Sequence, residues 1–163
     1  MLAQRNSFLK EYAGMPIDAD MLSVWDEQLA DNGRVILERR LAFITELAEV
    51  FQVYYDRVAL GREKVTLEYS TTIKENDYLQ SLRGNFDRDR VLTYTTVGIH
   101  RDDITLSIEG YPVKRLGSQG QKKSFLTALK FAQFAYLAQQ KGVKPLLLLD
   151  DIFDKLDADR VSQ

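Results

Sequence analysis

Pro145 and four consecutive leucines, Leu146 to Leu149, run directly into Asp150 and Asp151. No polar position interrupts the run, so as a strand it needs cover on both faces, which is the condition of a central parallel strand between helices. The expected class is therefore α/β. The C-terminal end of such a strand is where open α/β sheets bind ligands. Successive strand residues point to opposite sides, so Asp150 and Asp151 cannot do the same work. One can hold the water shell of a Mg²⁺ ion, and the next can position or activate an attacking water. The plainer reading is a strand end finished by two solvated acids.

About two dozen residues earlier stands Leu116-Gly117-Ser118-Gln119-Gly120-Gln121. A helix is expected from about Gln119 to Gln140, with Phe125, Leu129, Ala132 and Tyr136 on its inner stripe and Gly142 ending it. Ser118 then sits where unpaired backbone N–H groups and the positive end of the helix dipole meet solvent. Gly117 and Gly120 let a ligand approach the backbone, and the Ser118 hydroxyl can donate to a phosphate oxygen. Gln121 and Lys122 fall on the first helical turn. Taken alone, the segment is more often a serine N-cap in a glycine-containing turn.

The rest of the chain alternates between two periods. Residues 1–62 read as helical, with an interruption at Gly14 and Pro16 and Asp18 or Asp20 as the next N-cap. Gly33 reads as a break or a weak point. Beyond it Leu37, Leu41, Ile44, Ala48, Phe51, Tyr55 and Val58 recur at alternating four- and three-residue steps, the stripe of a long amphipathic helix. From Lys64 the period becomes two, with Val65, Leu67 and Tyr69 on one side of a strand. Residues 75–90 return to helix, disturbed at Gly84. The β-branched run Thr93 to Val97 should be extended. Ile104, Leu106 and Ile108 alternate again and turn at Glu109-Gly110 into Tyr111-Pro112-Val113, a β-hairpin.

Composition narrows the class without choosing a function. The 163 residues are 45% hydrophobic and 28% charged, the balance of a globular protein. There is no cysteine, which removes disulfides, thiolate zinc sites and a cysteine nucleophile, and fits a reducing, cytoplasmic setting. No apolar stretch reaches the roughly 18 residues that span a bilayer, so no membrane role is expected. A net charge of −2 argues against a strongly basic nucleic-acid module, although Arg34, Arg39 and Arg40, and Arg83, Arg88, Arg90 and Arg101, form local clusters. Glu38, Asp87 and Asp89 are interleaved with them, as on a solvated surface.

With both motifs in this order and Asp154-Lys155-Leu156-Asp157 following, the chain resembles ABC-type ATPases of the SMC and DNA-repair branch. More closely it resembles the RecF family of bacterial DNA replication and repair proteins. Val97-Gly98-Ile99-His100-Arg101-Asp102-Asp103 looks like the family's G-P-H-R-D-D, and Gly117 to Gln121 looks like its form of the signature turn. Asp150-Asp151 matches the aspartate pair that the family carries where related ATPases often have a glutamate second. Gln4-Arg5-Asn6, Leu9-Lys10, Trp25-Asp26 and Gln28-Leu29 fit its helical second domain. The resemblance implies residues 1–90 as a mostly helical lid or arm. Residues 91–163 would be the C-terminal part of an ATPase head, with a parallel core strand and a β-hairpin.

By the same resemblance, Ser118 and Gly120, with Gln119 and Gln121 beside them, would meet the γ-phosphate of ATP held by an opposite subunit. Asp150 would coordinate Mg²⁺ through water, and Asp151 would orient the hydrolytic water. Asp154 to Asp157 would form the loop crossing the dimer interface, with Asp157 at the nucleotide. Implied partners are DNA, single- and double-stranded and at gap junctions, a second copy joined through ATP, and a RecR-type mediator that aids recombinase loading. Two departures stand out: Ile99 replaces a proline, and Lys155 occupies a position often small or polar. The lone His100 reads as a structural hydrogen-bonding residue, and Arg101-Asp102-Asp103 as an ion-pair network between lobes.

No G-x-x-x-x-G-K-[ST] loop occurs; Gly61-Arg62-Glu63-Lys64 lacks its first glycine, its spacing and its final hydroxyl. The chain is thus expected to be part of a longer protein and to hydrolyse no ATP alone, because no P-loop lysine meets the γ-phosphate. Two other classes compete. One is a helical protein-interaction module built on residues 18–60, with no catalytic role. The other is a Mg²⁺-dependent phosphohydrolase using Asp150, Asp151 and Asp154, which leaves the Ser118 turn unexplained.

Overall fold

The computed structural model describes residues 1–59, 61, 63–74, 77–142 and 145–148. Helix α1 (Leu2–Glu11) leads through a 3₁₀ turn (Ala19–Leu22) into the 37-residue α2 (Ser23–Ala59). Strand β1 (Val65–Ser70), helices α3 (Tyr78–Gly84) and α4 (Phe86–Leu92), and strands β2 (Asp103–Ile108) and β3 (Tyr111–Pro112) follow. The short α5 (Val113–Leu116) and the long α6 (Gln119–Lys141) come next. Among the described residues no helix is long and apolar enough to cross a membrane.

Local chemistry accounts for most boundaries. Asp18 opens the 3₁₀ turn by accepting from the Asp20 N–H at 3.2 Å. Asp77 caps α3, its carboxylate accepting from the Gln80 N–H at 2.9 Å. Gly84 ends α3, and Asn85 separates it from α4. The sheet has the order β1-β2-β3, and β2 pairs antiparallel with β3, Ser107 opposite Pro112 and Ile108 opposite Tyr111. Both residues of the turn between them have positive φ, 50° at Glu109 and 78° at Gly110, the twist a two-residue hairpin needs. The Glu109 N–H donates to the Lys64 carbonyl at 2.8 Å and the Ser70 hydroxyl to the Asp103 carbonyl at 3.2 Å. Those two bonds, at opposite ends, run β1 antiparallel to β2.

Three expectations meet a different structure. α2 passes through Gly33 unbroken, because there the glycine admits an aromatic: a Cβ on Gly33 would overlap the Tyr78 ring. Thr93 to Val97 forms no strand. Thr93 has φ 60°, and the backbone and hydroxyl donors of Thr95 and Thr96 go to the side chains of Asn6 and Asp89 at 2.6–2.8 Å. β-branching favours extension only where a neighbouring strand offers partners. Residues 145–148 also pair with no described strand, and Leu146 and Leu148 are 87% and 82% exposed. A central parallel strand needs a neighbouring strand on each side, and the described sheet ends at β1 and β3. The mixed helical and sheet class itself stands.

The chain divides into two compact units, Met1–Leu41 with Tyr69–Asp103, and Ala42–Glu68 with Ile104–Gln163. In the first, Leu37, Ile73, Tyr78, Leu82 and Val97 form one apolar cluster, and Leu9, Ile17 and Leu22 another. A polar core accompanies them. Arg5, fully buried, donates from Nε to Asp26 Oδ1 at 2.6 Å and from one terminal nitrogen to Asp89 Oδ2 at 2.7 Å and Thr95 Oγ1 at 2.9 Å. Burial lifts the Asp26 carboxyl above the ordinary 3.8, against the lowering by the Arg5 hydrogen bond and charge. In the second unit the C-terminal half of α2 packs on α6 through Phe51–Phe125 (4.7 Å between centroids), Phe43–Tyr136 (5.1 Å) and Tyr54–Phe131 (6.1 Å). Phe51 and Phe125 are buried and each contributes roughly 1.5–3 kcal/mol of apolar transfer, which fixes α6 and hence its N-terminus.

Candidate nucleotide-contact site

Ser118 is the N-cap of α6, in extended backbone geometry (φ −61°, ψ 164°), and a capping box closes the first turn. Its Oγ accepts from the Gln121 N–H at 3.1 Å, and Gln121 Oε1 accepts from the Ser118 N–H at 2.8 Å. The other end of the Gln121 amide is also fixed: Nε2 donates to Glu63 Oε1 at 2.7 Å, while the Tyr55 hydroxyl donates to Glu63 Oε2 at 2.5 Å. Turning the amide over would break both of its bonds, so its orientation follows from its surroundings. Glu63 and Tyr55 are the residues that sequence reasoning missed here. Glu63 lies 58 residues from Gln121, and nothing local joins them.

What the cap leaves unused defines the site. Ser118, Gln119 and Gly120 are exposed. Among the described residues, the Gln119 and Gly120 N–H groups have no acceptor, and the Ser118 hydroxyl accepts one bond but donates none. Three donors thus face outward at the positive end of a 23-residue helix, the arrangement that receives an anion. Gly117 is required by the fold, since a Cβ there would come within 2.8 Å of the Val113 carbonyl. Gly120 is not: a Cβ on it would meet nothing within 4 Å. Its lack of a side chain leaves the backbone at this helix end open to close approach. A shallow depression of about 290 Å³, lined by Ile108, Glu109, Tyr111, Val113, Leu116 and Gly117, opens beside Gln121.

Asp150, Asp151, Asp154, Lys155 and Asp157 lie outside the described residues. The ATPase assignments to Asp150, Asp151 and Asp157 therefore rest on sequence. Among the described residues no group of three or more His, Asp or Glu side chains is arranged to hold a metal ion.

The Gly98 to Asp103 segment lies in the first unit as a turn, with the Arg101 N–H donating to the Gly98 carbonyl at 2.8 Å. Gly98 has φ 130°, and a Cβ on it would overlap the Tyr78 hydroxyl, so two glycines flank that one ring. Ile99, where the resemblance has proline, accepts from Arg40 through its carbonyl at 2.6 Å. His100 Nε2 stands 3.1 Å from the Thr95 carbonyl, a structural contact. Asp102 accepts from the Tyr69 hydroxyl and pairs with Arg40 at 3.6 Å. Arg101 stacks on Tyr94, 5.0 Å from the ring centroid, instead of joining an ion pair.

Comparison with known proteins gives one consistent answer. No family model matches the chain. It is 46% identical over its whole length to the DNA replication and repair protein RecF of Flavobacterium johnsoniae, of which it covers 46%. It is 43% identical over 99% of its length to the same-named protein of Bacteroides fragilis, covering 43% of that chain. A solved structure of the recombination mediator protein RecF-ATP in the RecFOR pathway superimposes with a TM-score of 0.83 at 30% identity, over 99% of this chain and 45% of that one. The chain thus spans a little under half the length of the relatives it matches. Its motifs, its sequence over the full length and its fold agree in their likeness to proteins named RecF.

Proposed function

We propose that the chain is the signature-bearing part of an ATP-dependent DNA clamp acting in recombinational DNA repair and replication restart. Residues 91–163 carry the nucleotide-contacting motifs in this reading, and residues 1–90 the helical arm. The observation that carries it is the outward-facing, unsatisfied N-terminus of α6, with open space where a Cβ on Gly120 would stand. The donors suit the γ-phosphate of ATP bound by a second copy, so that nucleotide joins two heads and each site is composite. Ser118 donates its hydroxyl proton, and the Gln119 and Gly120 N–H groups complete the cradle.

Asp150 would hold Mg²⁺ through water, which supplies charge neutralisation at the phosphates. Asp151 would orient the hydrolytic water, and Asp157 would lie at the interface. ATP binding favours the dimer and its hold on DNA near gaps, where a RecR-type mediator assists recombinase loading, and hydrolysis releases it. This chain by itself is inactive as an ATPase, for want of a phosphate-cradling loop. The relatives' names, and the ATP in the related structure's description, support the reading.

The test is sedimentation of a full-length family protein carrying this chain, with and without ATP, as wild type and as Ser118→Arg. Loss of the ATP-driven dimer in the variant is the expected result. A dimer that forms unchanged would remove the composite site and leave the helical interaction module in its place.

A further inference from the structure

The signature turn begins the one long stretch of this chain that carries no acid. Residues 110–149 contain seven basic residues, Lys114, Arg115, Lys122, Lys123, Lys130, Lys141 and Lys144, while all 24 acidic residues lie elsewhere. On a chain of net charge −2, that is a strong local imbalance. Elsewhere on the surface some arginines are paired, Arg34 with Glu38 at 3.1 Å and Arg83 with Glu27 at 3.8 Å. Among the described residues, Lys114, Arg115, Lys122, Lys123, Lys130 and Lys141 make no ion pair. The acids that α6 engages are bound to its neutral side chains: Glu46 accepts from Gln140 at 3.3 Å and from Tyr136, and Glu63 accepts from Gln121 at 2.7 Å.

Three of these lysines share one line. Lys123, Lys130 and Lys141 are separated by 7 and 11 residues. At about 100° per residue they fall within roughly 20° of one another, and at 1.5 Å per residue they span about 27 Å. Lys130 and Lys141 are exposed and Lys123 is half-buried, with Leu126, Gln133 and Leu137 exposed to one side of the line, Thr127 buried on the other, and Phe125, Ala128 and Ala132 buried opposite. A bound triphosphate is far shorter than that. A nucleic-acid strand, with a phosphate about every 3.4 Å along the axis, presents a row of charges of matching length. Lysine suits it, as a flexible point charge that follows a backbone without reading sequence, and Gln133 adds a neutral donor.

We infer that the outer face of α6, through Lys123, Lys130 and Lys141, is a surface for the phosphate backbone of DNA. The inference rests on the clamp reading above and places one of its DNA contacts on the helix whose N-terminus receives ATP. A single element then carries both anions, with the nucleotide at its N-terminus and the nucleic acid along its side.

The experiment uses a full-length family protein carrying this chain, ATP present, and binding of a double-stranded DNA with a single-stranded gap across a KCl series. Three forms are compared: wild type, Lys123→Gln/Lys130→Gln/Lys141→Gln, and the same three changed to Arg. Each neutralised phosphate contributes about 0.9 to the slope of log K against log salt. The Gln form should therefore lose about 2 to 3 in slope and bind at least roughly tenfold more weakly at physiological salt, with the Arg form near wild type. ATP-driven dimerisation, followed by sedimentation, should be unchanged. A slope unaltered in the Gln form overturns the surface and leaves the clamp intact. Loss of the dimer instead assigns the lysines to nucleotide or subunit contact and overturns it too. Wild type that binds no DNA overturns both readings.

Discussion

Replacing Arg5 by methionine tests how the first unit is held together. Arg5 is fully buried and serves Asp26, Asp89 and Thr95 at 2.6, 2.7 and 2.9 Å. Methionine keeps much of the volume and removes the charge. It leaves two buried carboxylates near each other, each raising the cost of the other's ionisation, and breaking a buried pair from one side costs about 3–5 kcal/mol. The dependence on pH separates this cause from lost packing. The Asp26 carboxyl is raised above 3.8 mainly by burial, and Arg5 is what opposes the rise. A carboxyl with a raised folded pKa contributes stability that is complete below 3.8 and is lost as the pH climbs through the folded value. Without Arg5 the folded value moves further up and more stability is lost at neutral pH. The variant should thus be weakest near neutrality and recover part of its deficit toward about pH 4. Urea unfolding followed by circular dichroism at the two pH values reads this, and adding Asp26→Asn should restore part of the neutral-pH loss. A deficit below about 1 kcal/mol, or one equal at both pH values, would refute the reasoning.

Two further outcomes follow from single positions. The Tyr78 hydroxyl is pushed up to about 12, chiefly by burial, so its stabilising neutrality is complete below 10 and lost as the pH rises through about 12. An alkaline absorbance titration should show a tyrosine ionising near about 12, later than the also raised Tyr69 and Tyr136, that Tyr78→Phe removes. Gly120→Ala should raise thermal stability by up to about 1 kcal/mol, because alanine is the better helix former and meets nothing within 4 Å. In a full-length family protein the same change should weaken the ATP-driven dimer, and a variant that gains stability with its dimer intact would show that the glycine has no outside neighbour.

What the sequence made legible were the features written in neighbouring residues. The stripe from Leu37 to Val58 announced α2, alternation announced β1 and β2, Glu109-Gly110 announced the hairpin, and Ser118 with Gln121 three residues on announced the cap. The rest depends on partners far along the chain. Gly33 looks like a helix breaker until Tyr78 is seen against it, 45 positions later. Thr93 to Val97 looks extended until Asn6 and Asp89 are seen taking its donors. Nothing within a helical turn of Arg5 reveals the two carboxylates it meets, 21 and 84 residues away. At the candidate site, the turn was legible and its support by Glu63 and Tyr55 was not.

The Arg5 cluster also sets an order of events during synthesis. Its partners Asp89 and Thr95 are 84 and 90 positions further on, and residues 42–68, which lie between, belong to the other unit. α1 therefore emerges from the ribosome long before its charge can be matched, and it waits, hydrated and marginal, until α4 and the loop after it arrive. Closing so long a loop slows folding far more than it weakens the finished structure. The unit's slow step should accordingly be the capture of its first helix by its last, a single late event on which several otherwise complete elements depend.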